Sequence, residues 1–408
     1  MTAPAVAGSA LRLPGFRAFF VTYLFAMMAD NIEHVISYYV AFGRFHSTAL
    51  AGFAVISHWV PFLAFSVAVG ALNDRFDSRR LIQLGMALFM TASAGWGYFF
   101  VTDSLTMWGA CALLVLHGCA GVFWQPSSQM LLYDIVGPDH LVSAVRLNAT
   151  ARYLGVLVGP AVGGALLMAL GPTLGIFVNT AFYLPLMLWL IRAPYGPRFR
   201  RASAAPPRRQ VRGLADIVQT LRDIRGVPVL VTMMMLVGGA SLFIGNSYQA
   251  SMPEFATDLG HGKGSVPYFV LLAADAAGAL TAGVLLETSR RLLPVSPRNA
   301  LWLALAWAVM LGAFALNRNY PVALVLLFCA GLFELSFSSM AQTLVQLHAP
   351  NPIRGRVLGL FSMAALGLRA FSGITVGLVG SALTIHSSLA LATLCFFAVM
   401  MVLLIRRR

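Results

Sequence analysis

Residues 81–100 read LIQLGMALFMTASAGWGYFF, and no face of this stretch is polar, whether it is wound as a helix or laid out as a strand. A lipid-facing strand needs about ten residues of alternating polarity, so a run this long without alternation is read as a helix in apolar surroundings. Residues 301–316 have the same character. About 20 apolar residues at 1.5 Å each match the ~30 Å hydrocarbon layer of a bilayer.

Working outward, the whole chain divides in this way. Of its 408 residues 59% are hydrophobic and 10% charged, with a mean hydropathy of +0.80, which excludes an ordinary soluble domain. Charged or Pro/Gly-containing breaks separate twelve expected spans: 17–42, 48–72, 80–101, 105–132, 142–168, 172–192, 227–251, 264–287, 299–316, 320–346, 355–380 and 383–405. The first is too long for a cleavable signal segment and is expected to stay.

Cationic residues near helix ends favour the cytoplasmic side. With both termini inside, that side holds Arg12, Arg17, Arg75, Arg79, Arg80, Arg146, nine arginines from Arg192 to Arg225, Arg290, Arg291, Arg298, Arg354, Arg356 and Arg406 to Arg408. The other side holds Arg44, Lys263 and Arg318. The net charge of +14 is thus spread over loops that face anionic lipid, which argues against a nucleic-acid partner. Cys111, Cys119, Cys329 and Cys395 fall within expected helices without metal-ligand spacing and read as packing residues.

Residues 193–226 carry Pro194, Pro197, Pro206, Pro207 and many arginines, a composition read as an unburied cytoplasmic linker. It parts an N-terminal six-helix bundle, 1–192, from a C-terminal one, 227–408. The halves echo each other: Gly70-x₃-Asp74 is matched by Gly283-x₃-Glu287, 213 residues later, and Pro138 by Pro350, 212 later. A duplicated six-helix unit fits both pairs.

The loop after the second span, Gly70-Ala-Leu-Asn-Asp74-Arg75-Phe-Asp77-Ser78-Arg79-Arg80, resembles the G-x-x-x-D-R-x-G-R-R pattern of the major facilitator superfamily. That resemblance implies an all-α membrane protein with twelve transmembrane helices in two pseudo-symmetric halves and a substrate site between them at mid-membrane. It also implies a conformational latch of Gly70, Asp74, Arg75, Arg79 and Arg80, in which the aspartate faces the N-terminal end of helix 11. Asp77 and Ser78 depart from the pattern, and D-R-F-D-x-R-R is similar instead to the branch of enterobactin-type siderophore exporters and macrolide efflux proteins. Asn246 to Asp258 and Arg354-Gly-Arg356 look like that branch too.

In the fifth span, Gly155-x₃-Gly159-Pro160-x₂-Gly163-Gly164 resembles the g-x-x-x-G-P-x-x-G-G motif of drug–proton antiporters. A bent helix with a smooth glycine face packs closely, here expected against helix 8, where it would seal the cavity against proton leak. The same run also reads as plain helix packing. Where these antiporters carry an arginine in helix 4, this chain has His117, itself titratable near physiological pH.

Ionisable groups inside a span cost several kcal/mol and usually face a cavity or a partner. Asp30, Glu33, His117, Arg152, Asp275, Glu334 and Arg369 are of this kind, and spans 3, 6, 9 and 12 hold none near their centres. Asp30 and Glu33 share one helix face and are the candidate proton-coupling pair, with His117. The alternative is that Asp30 caps a kink and Glu33 pairs with an arginine. Arg152, Asp275, Glu334 and Arg369 either neutralise one another or meet substrate. Tyr38, Trp124, Tyr248, Phe333 and Phe337 are placed in a substrate cavity.

These features imply a proton-coupled exporter of a lipophilic drug-like or siderophore-like small molecule, working by alternating access as a monomer in a bacterial-type cytoplasmic membrane, with no cofactor or metal. The alternatives are an uptake symporter, a lysophospholipid transporter (on Asp30-Asn31) or a non-transporting receptor. No H-E-x-x-H run or interfacial Ser/His pair suggests an enzyme.

Overall fold

The computed structural model describes residues 8–196, 213–261, 266–289, 293–372 and 383–405. No strand occurs among them. Eight helical runs are long and apolar enough to cross a bilayer: Gly52–Asn73, Ser78–Thr102, Met107–Arg192, Pro228–Gln249, Pro267–Thr288, Pro297–Leu316, Tyr320–His348 and Ile385–Ile405. Each starts where its sequence supplies a cap or a proline. The oxygens of Ser47, Asp77, Thr106, Ser296 and Asn319 accept first-turn N–H groups, and Pro228 stands at the start of another helix.

The difference from the twelve expected spans arises at three places. Met107–Arg192 is an 86-residue run, which would be about 130 Å long if straight. It folds back at Gly137 (φ 66°) and Gly171 (φ 71°), conformations that glycine adopts without a side-chain clash. The arms 107–136, 138–170 and 172–192 replace the expected segments 105–132, 142–168 and 172–192. The loop expected around Pro138 is therefore a sharp break between helices. Pro14–Phe45 is 32 residues long but less apolar, because Asp30, Asn31, Glu33 and His34 sit at its middle. The eleventh segment is helical from Arg354 to Ser372, with a wider π-helical turn over Met363–Gly367, and its expected remainder lies outside the described residues.

We label the long helices α1 (Pro14–Phe45), α2 (Thr48–Asn73), α3 (Ser78–Thr102), α4 (107–136), α5 (138–170), α6 (172–192), α7 (Pro228–Phe243), α8 (Val266–Thr288), α9 (Pro297–Leu316), α10 (Tyr320–His348), α11 (354–372) and α12 (Ile385–Ile405). Two apolar clusters draw on residues between Ala10 and Leu190. A third runs from Ile224 to Met400 and takes in Val67 and Met130 from the earlier part of the chain.

Lipid is as apolar as leucine, so close backbone approach contributes much of the helix association. Between α2 and α11 that approach runs through glycine: Gly70 and Gly355 face each other's backbones, Gly359 lies on Ser66 and Val67, and Gly367 on Leu63. A Cβ on Gly359 would fall 2.9 Å from the Val67 Cα, and one on Gly367 2.7 Å from the Leu63 Cα.

The linker departs from its expected unburied state. Leu214–Ile224 forms a short helix in which Asp216, Thr220 and Ile224 are buried against α2 and α11. Its arginine-rich neighbours set the average composition, while this amphipathic segment has an apolar face to cover.

Candidate functional site

The charged residues of α1 and α4 meet in one cluster. His117 Nε2 lies 2.9 Å from Asp30 Oδ1 and its Nδ1 2.9 Å from Glu33 Oε1. On the far side of Glu33, Ser93 Oγ of α3 donates to Oε2 in a short contact, and Asn179 Nδ2 donates to Ser93 Oγ at 3.3 Å. Gly118, next to His117, brings α4 onto the backbone of Ser57 and His58 in α2.

Proton counting follows from the donors. Each of the two ring-nitrogen contacts needs a proton between nitrogen and oxygen, since a bare nitrogen facing a carboxylate repels it. Glu33, with Ser93 already donating to it, takes the role of acceptor, so Nδ1 carries the hydrogen. The second proton is shared by Nε2 and Asp30. The Asp30 side chain is 14% exposed and lines a cavity, whereas that of Glu33 is 2% exposed. Asp30 is thus the acid with access to water, and loss of its shared proton breaks its link to His117.

His34 meets His117 edge-on and His58 lies tilted against it, with ring centroids 4.6 and 5.6 Å away. The three imidazoles place potential ligand nitrogens within 4.8 Å of one another. A metal ion bound to all three would have to displace Asp30 or Glu33 from His117, because both of its nitrogens are engaged.

The glycine run of α5 corrects the sequence reading. Gly155, Gly159 and Gly163 lie on α1, against Met27, Asn31 and Ile32, and not on α8, while Gly164 meets nothing within 4 Å. Pro160 stands within the same helix. The α5 residues that meet α8 are others, among them Thr150, which packs on Gly283, and Arg146, whose Nη1 donates to the Leu286 carbonyl at 2.7 Å. The smooth face therefore positions the helix that carries Asp30 and Glu33.

In the later helices, Asp275 of α8 accepts from Tyr248 Oη (3.0 Å) and Gln249 Nε2 (2.8 Å), with Glu334 Oε2 of α10 3.5 Å from the same hydroxyl. Arg152, Glu334 and Arg369 line one central cavity together with Gln125. Tyr38 and Trp124 line its one lobe and Phe337 the other. Phe333, Tyr248 and Asp275 do not line the cavity: Phe333 packs against the apolar core, and Tyr248 and Asp275 are buried on each other.

At one end of the bundle Asp74 joins α2 to α11. Its carboxylate accepts the N–H of Gly355 at 2.6 Å, the N–H of Arg356 at 3.2 Å and Arg356 Nη1 at 3.1 Å. Arg356 Nε also donates to Asp216 of the linker helix at 3.3 Å. Burial pushes the Asp74 carboxyl up to about 6, against the opposite pull of the Gly355 amide and of Arg356. The repeat places Glu287 where Asp74 stands in the other half, and its carboxylate accepts from Ser143 Oγ at 2.8 Å and Ser9 Oγ at 2.5 Å. Of the other expected latch residues, Gly70 lies in the contact. Arg79 holds Asp77 and the Ala193 carbonyl, Arg80 reaches Gln83, and Arg75 lies over Phe76.

Sequence reasoning missed Ser93, Asn179, Gln249 and Asp216. Small hydroxyls and amides in spans carry no hydropathy signal, although Asp216 was visible as the first-turn acid of an amphipathic helix.

A family model described as transmembrane secretion effector matches residues 5–407. The enterobactin exporter EntS of Shigella boydii serotype 4 is 24% identical over 378 residues, covering 91% of this chain and 86% of that protein. Among solved structures, the Escherichia coli fucose:proton symporter FucP aligns with a TM-score of 0.70 at 12% identity, over 97% of this chain and 99% of its own. A bacterial homologue of the iron transporter ferroportin in an outward-facing state aligns with a TM-score of 0.71 at 16% identity, over 96% and 98%. FucP is itself a major facilitator superfamily transporter, and likeness at these identities is one of fold. With multiple membrane-length helices, this architecture and a family match over nearly its whole length, the chain belongs to the transmembrane secretion effector family of major facilitator transporters.

Proposed function

We propose that this protein is a proton-coupled exporter of a lipophilic drug-like or siderophore-like small molecule, acting as a monomer in a bacterial cytoplasmic membrane. Twelve membrane-crossing helices in two halves, 1–192 and 227–408, are joined by the linker 193–226, with both termini on the cytoplasmic side. The observation that carries the proton part is His117 held between Asp30 and Glu33, with Asp30 on the cavity wall. Export rather than uptake rests on the relation to EntS, an enterobactin exporter.

In this reading the Asp74 and Glu287 contacts close the cytoplasmic end, and the cavity faces outward. A proton from outside enters the shared Asp30–His117 position as substrate leaves. Return of the empty carrier exposes that position to the cytoplasm, where the proton is lost as substrate binds. Proton and substrate then disfavour each other's binding, as antiport requires.

The test is flux in proteoliposomes with an imposed pH gradient and a panel of labelled lipophilic compounds. Gradient-driven export is expected, reduced at least tenfold in Asp30→Asn, with counterflow of substrate retained. Uptake down the proton gradient would overturn the direction, and full gradient-driven export in Asp30→Asn would remove this acid from the coupling.

A further inference from the structure

The central cavity is walled by two cations that no carboxylate among the described residues pairs with directly. Arg152 projects from α5 and Arg369 from α11, one from each proposed half, and both line the two lobes of the cavity. Among the described residues neither guanidinium has a carboxylate oxygen within 4.0 Å. Arg369 donates Nε to the Ala365 carbonyl at 3.1 Å and lies over the Trp59 ring at 5.2 Å. Arg152 lies over the Tyr153 ring at 5.5 Å. A ring face is a weak partner beside a carboxylate, and a charge in a low-dielectric site without a counter-ion costs several kcal/mol.

Other acids do not remove the excess. Glu334 is the single carboxylate that shares both lobes with the arginines. Asp30 is engaged with His117, and Asp275 with Tyr248 and Gln249.

A second observation points the same way. The indole N–H of Trp124, on one lobe, and that of Trp307, on the other, are buried and make no hydrogen bond within the protein. These side chains are 1% and 2% exposed. Each is an unsatisfied neutral donor just behind a wall that carries charged ones, and an acceptor oxygen is the partner it lacks.

We propose that the cavity binds an amphipathic organic anion, with Arg152 and Arg369 bracketing its carboxylate or equivalent oxyanion and the aromatic wall of Trp59, Trp124 and Tyr38 holding an apolar body. This rests on the transporter reading above and narrows it to a substrate class. The two arginines come from opposite proposed halves, so an anion between them relieves their mutual repulsion. Cationic lipophiles are excluded by the same repulsion.

The experiment uses full-length protein in detergent and an isosteric series on one aromatic body: pyrenebutyrate, its primary amide and the corresponding amine, with binding read by calorimetry. The acid is expected to bind at least tenfold tighter than the amide, with the amine weakest. Arg369→Gln and Arg152→Gln are each expected to lower the affinity for the acid about tenfold while leaving the amide unchanged, which also reports that the cavity is intact. Arg369→Lys should restore part of the loss. Equal or tighter binding of the amide or amine, failure of the acid to bind at millimolar concentration, or an acid affinity indifferent to both glutamine variants overturns the proposal. Those outcomes leave gradient-driven export untouched, and conversely a failure of flux leaves the preference for the acid standing.

Discussion

Asp74 closes the first turn of α11 by accepting the N–H groups of both Gly355 and Arg356, at 2.6 and 3.2 Å. One carboxylate on α2 thus does for another helix what a capping side chain does for its own, and sits at the positive end of its dipole.

Taking away one of the two acceptor oxygens of Asp74 should open the latch. Asp74→Asn keeps the size of the side chain but places an NH₂ group against N–H donors. The ratio of closed to open latch is expected to fall by at least about fivefold, from the ~1–3 kcal/mol that leaving a buried N–H donor unsatisfied costs. Spin labels on Phe76→Cys and Asn351→Cys, both exposed positions, measure it as a longer distance. An unchanged distance distribution would remove Asp74 from the latch.

The same labels test a pH effect whose sign is fixed. Asp74 is pushed up to about 6 in the closed latch by burial, while an opened latch returns it to water and the ordinary aspartate range near 3.9. The closed state therefore binds the proton more readily. Its advantage is full below the water value and is lost as pH rises through about 6. Lowering pH from 7.5 to 5.5 should raise the closed population in the wild type and do so much less in Asp74→Asn.

The glycines of α5 make an internally controlled series. An added Cβ would lie 2.6 Å from Met27 Cβ at Gly155 and 2.7 Å from Asn31 Cβ at Gly159, but would meet nothing within 4 Å at Gly164. Gly155→Ala and Gly159→Ala should each cost about 1–3 kcal/mol, read as a lower melting temperature. Gly164→Ala should be neutral or slightly stabilising, since alanine favours helix. Equal effects at all three positions would sink the assignment of the stripe to α1.

Asp216 ties the linker helix to the latch through Arg356. Asp216→Ala should lower thermal stability by about 1–3 kcal/mol, the cost of leaving a buried donor short of one acceptor, and should open the latch in the label experiment. An effect on stability alone, without opening, would separate the linker from gating.

Much of the fold was legible because hydropathy is a local property: the expected segment 48–72 is the helix Thr48–Asn73, and 80–101 is Ser78–Thr102. The meeting of Asp30, Glu33 and His117 was also within reach, since an ionisable group in a span needs a partner and few partners exist. Asp74 was placed at the start of α11 by resemblance, and the repeat pointed to Glu287 as its counterpart. What stayed hidden depends on which helices touch. A glycine face says that a close neighbour exists but not which one, so α8 was expected where α1 is found. Phe333 was misplaced because helix rotation is set by packing with other helices, and the buried linker helix because its basic surroundings masked an amphipathic segment.

The contact between α2 and α11 is mostly main chain against main chain, with glycine on one side or both. At Gly70, Gly355, Gly359 and Gly367 the glycine puts no side chain between the helices, so at these points parting them unthreads no rotamer and rejoining them asks none to find its place. Such a joint can be opened and shut at every turnover with little friction and no memory of the previous cycle. Its weakness is tolerance: a single methyl group added at Gly355, Gly359 or Gly367 works as a wedge driven into a closing door.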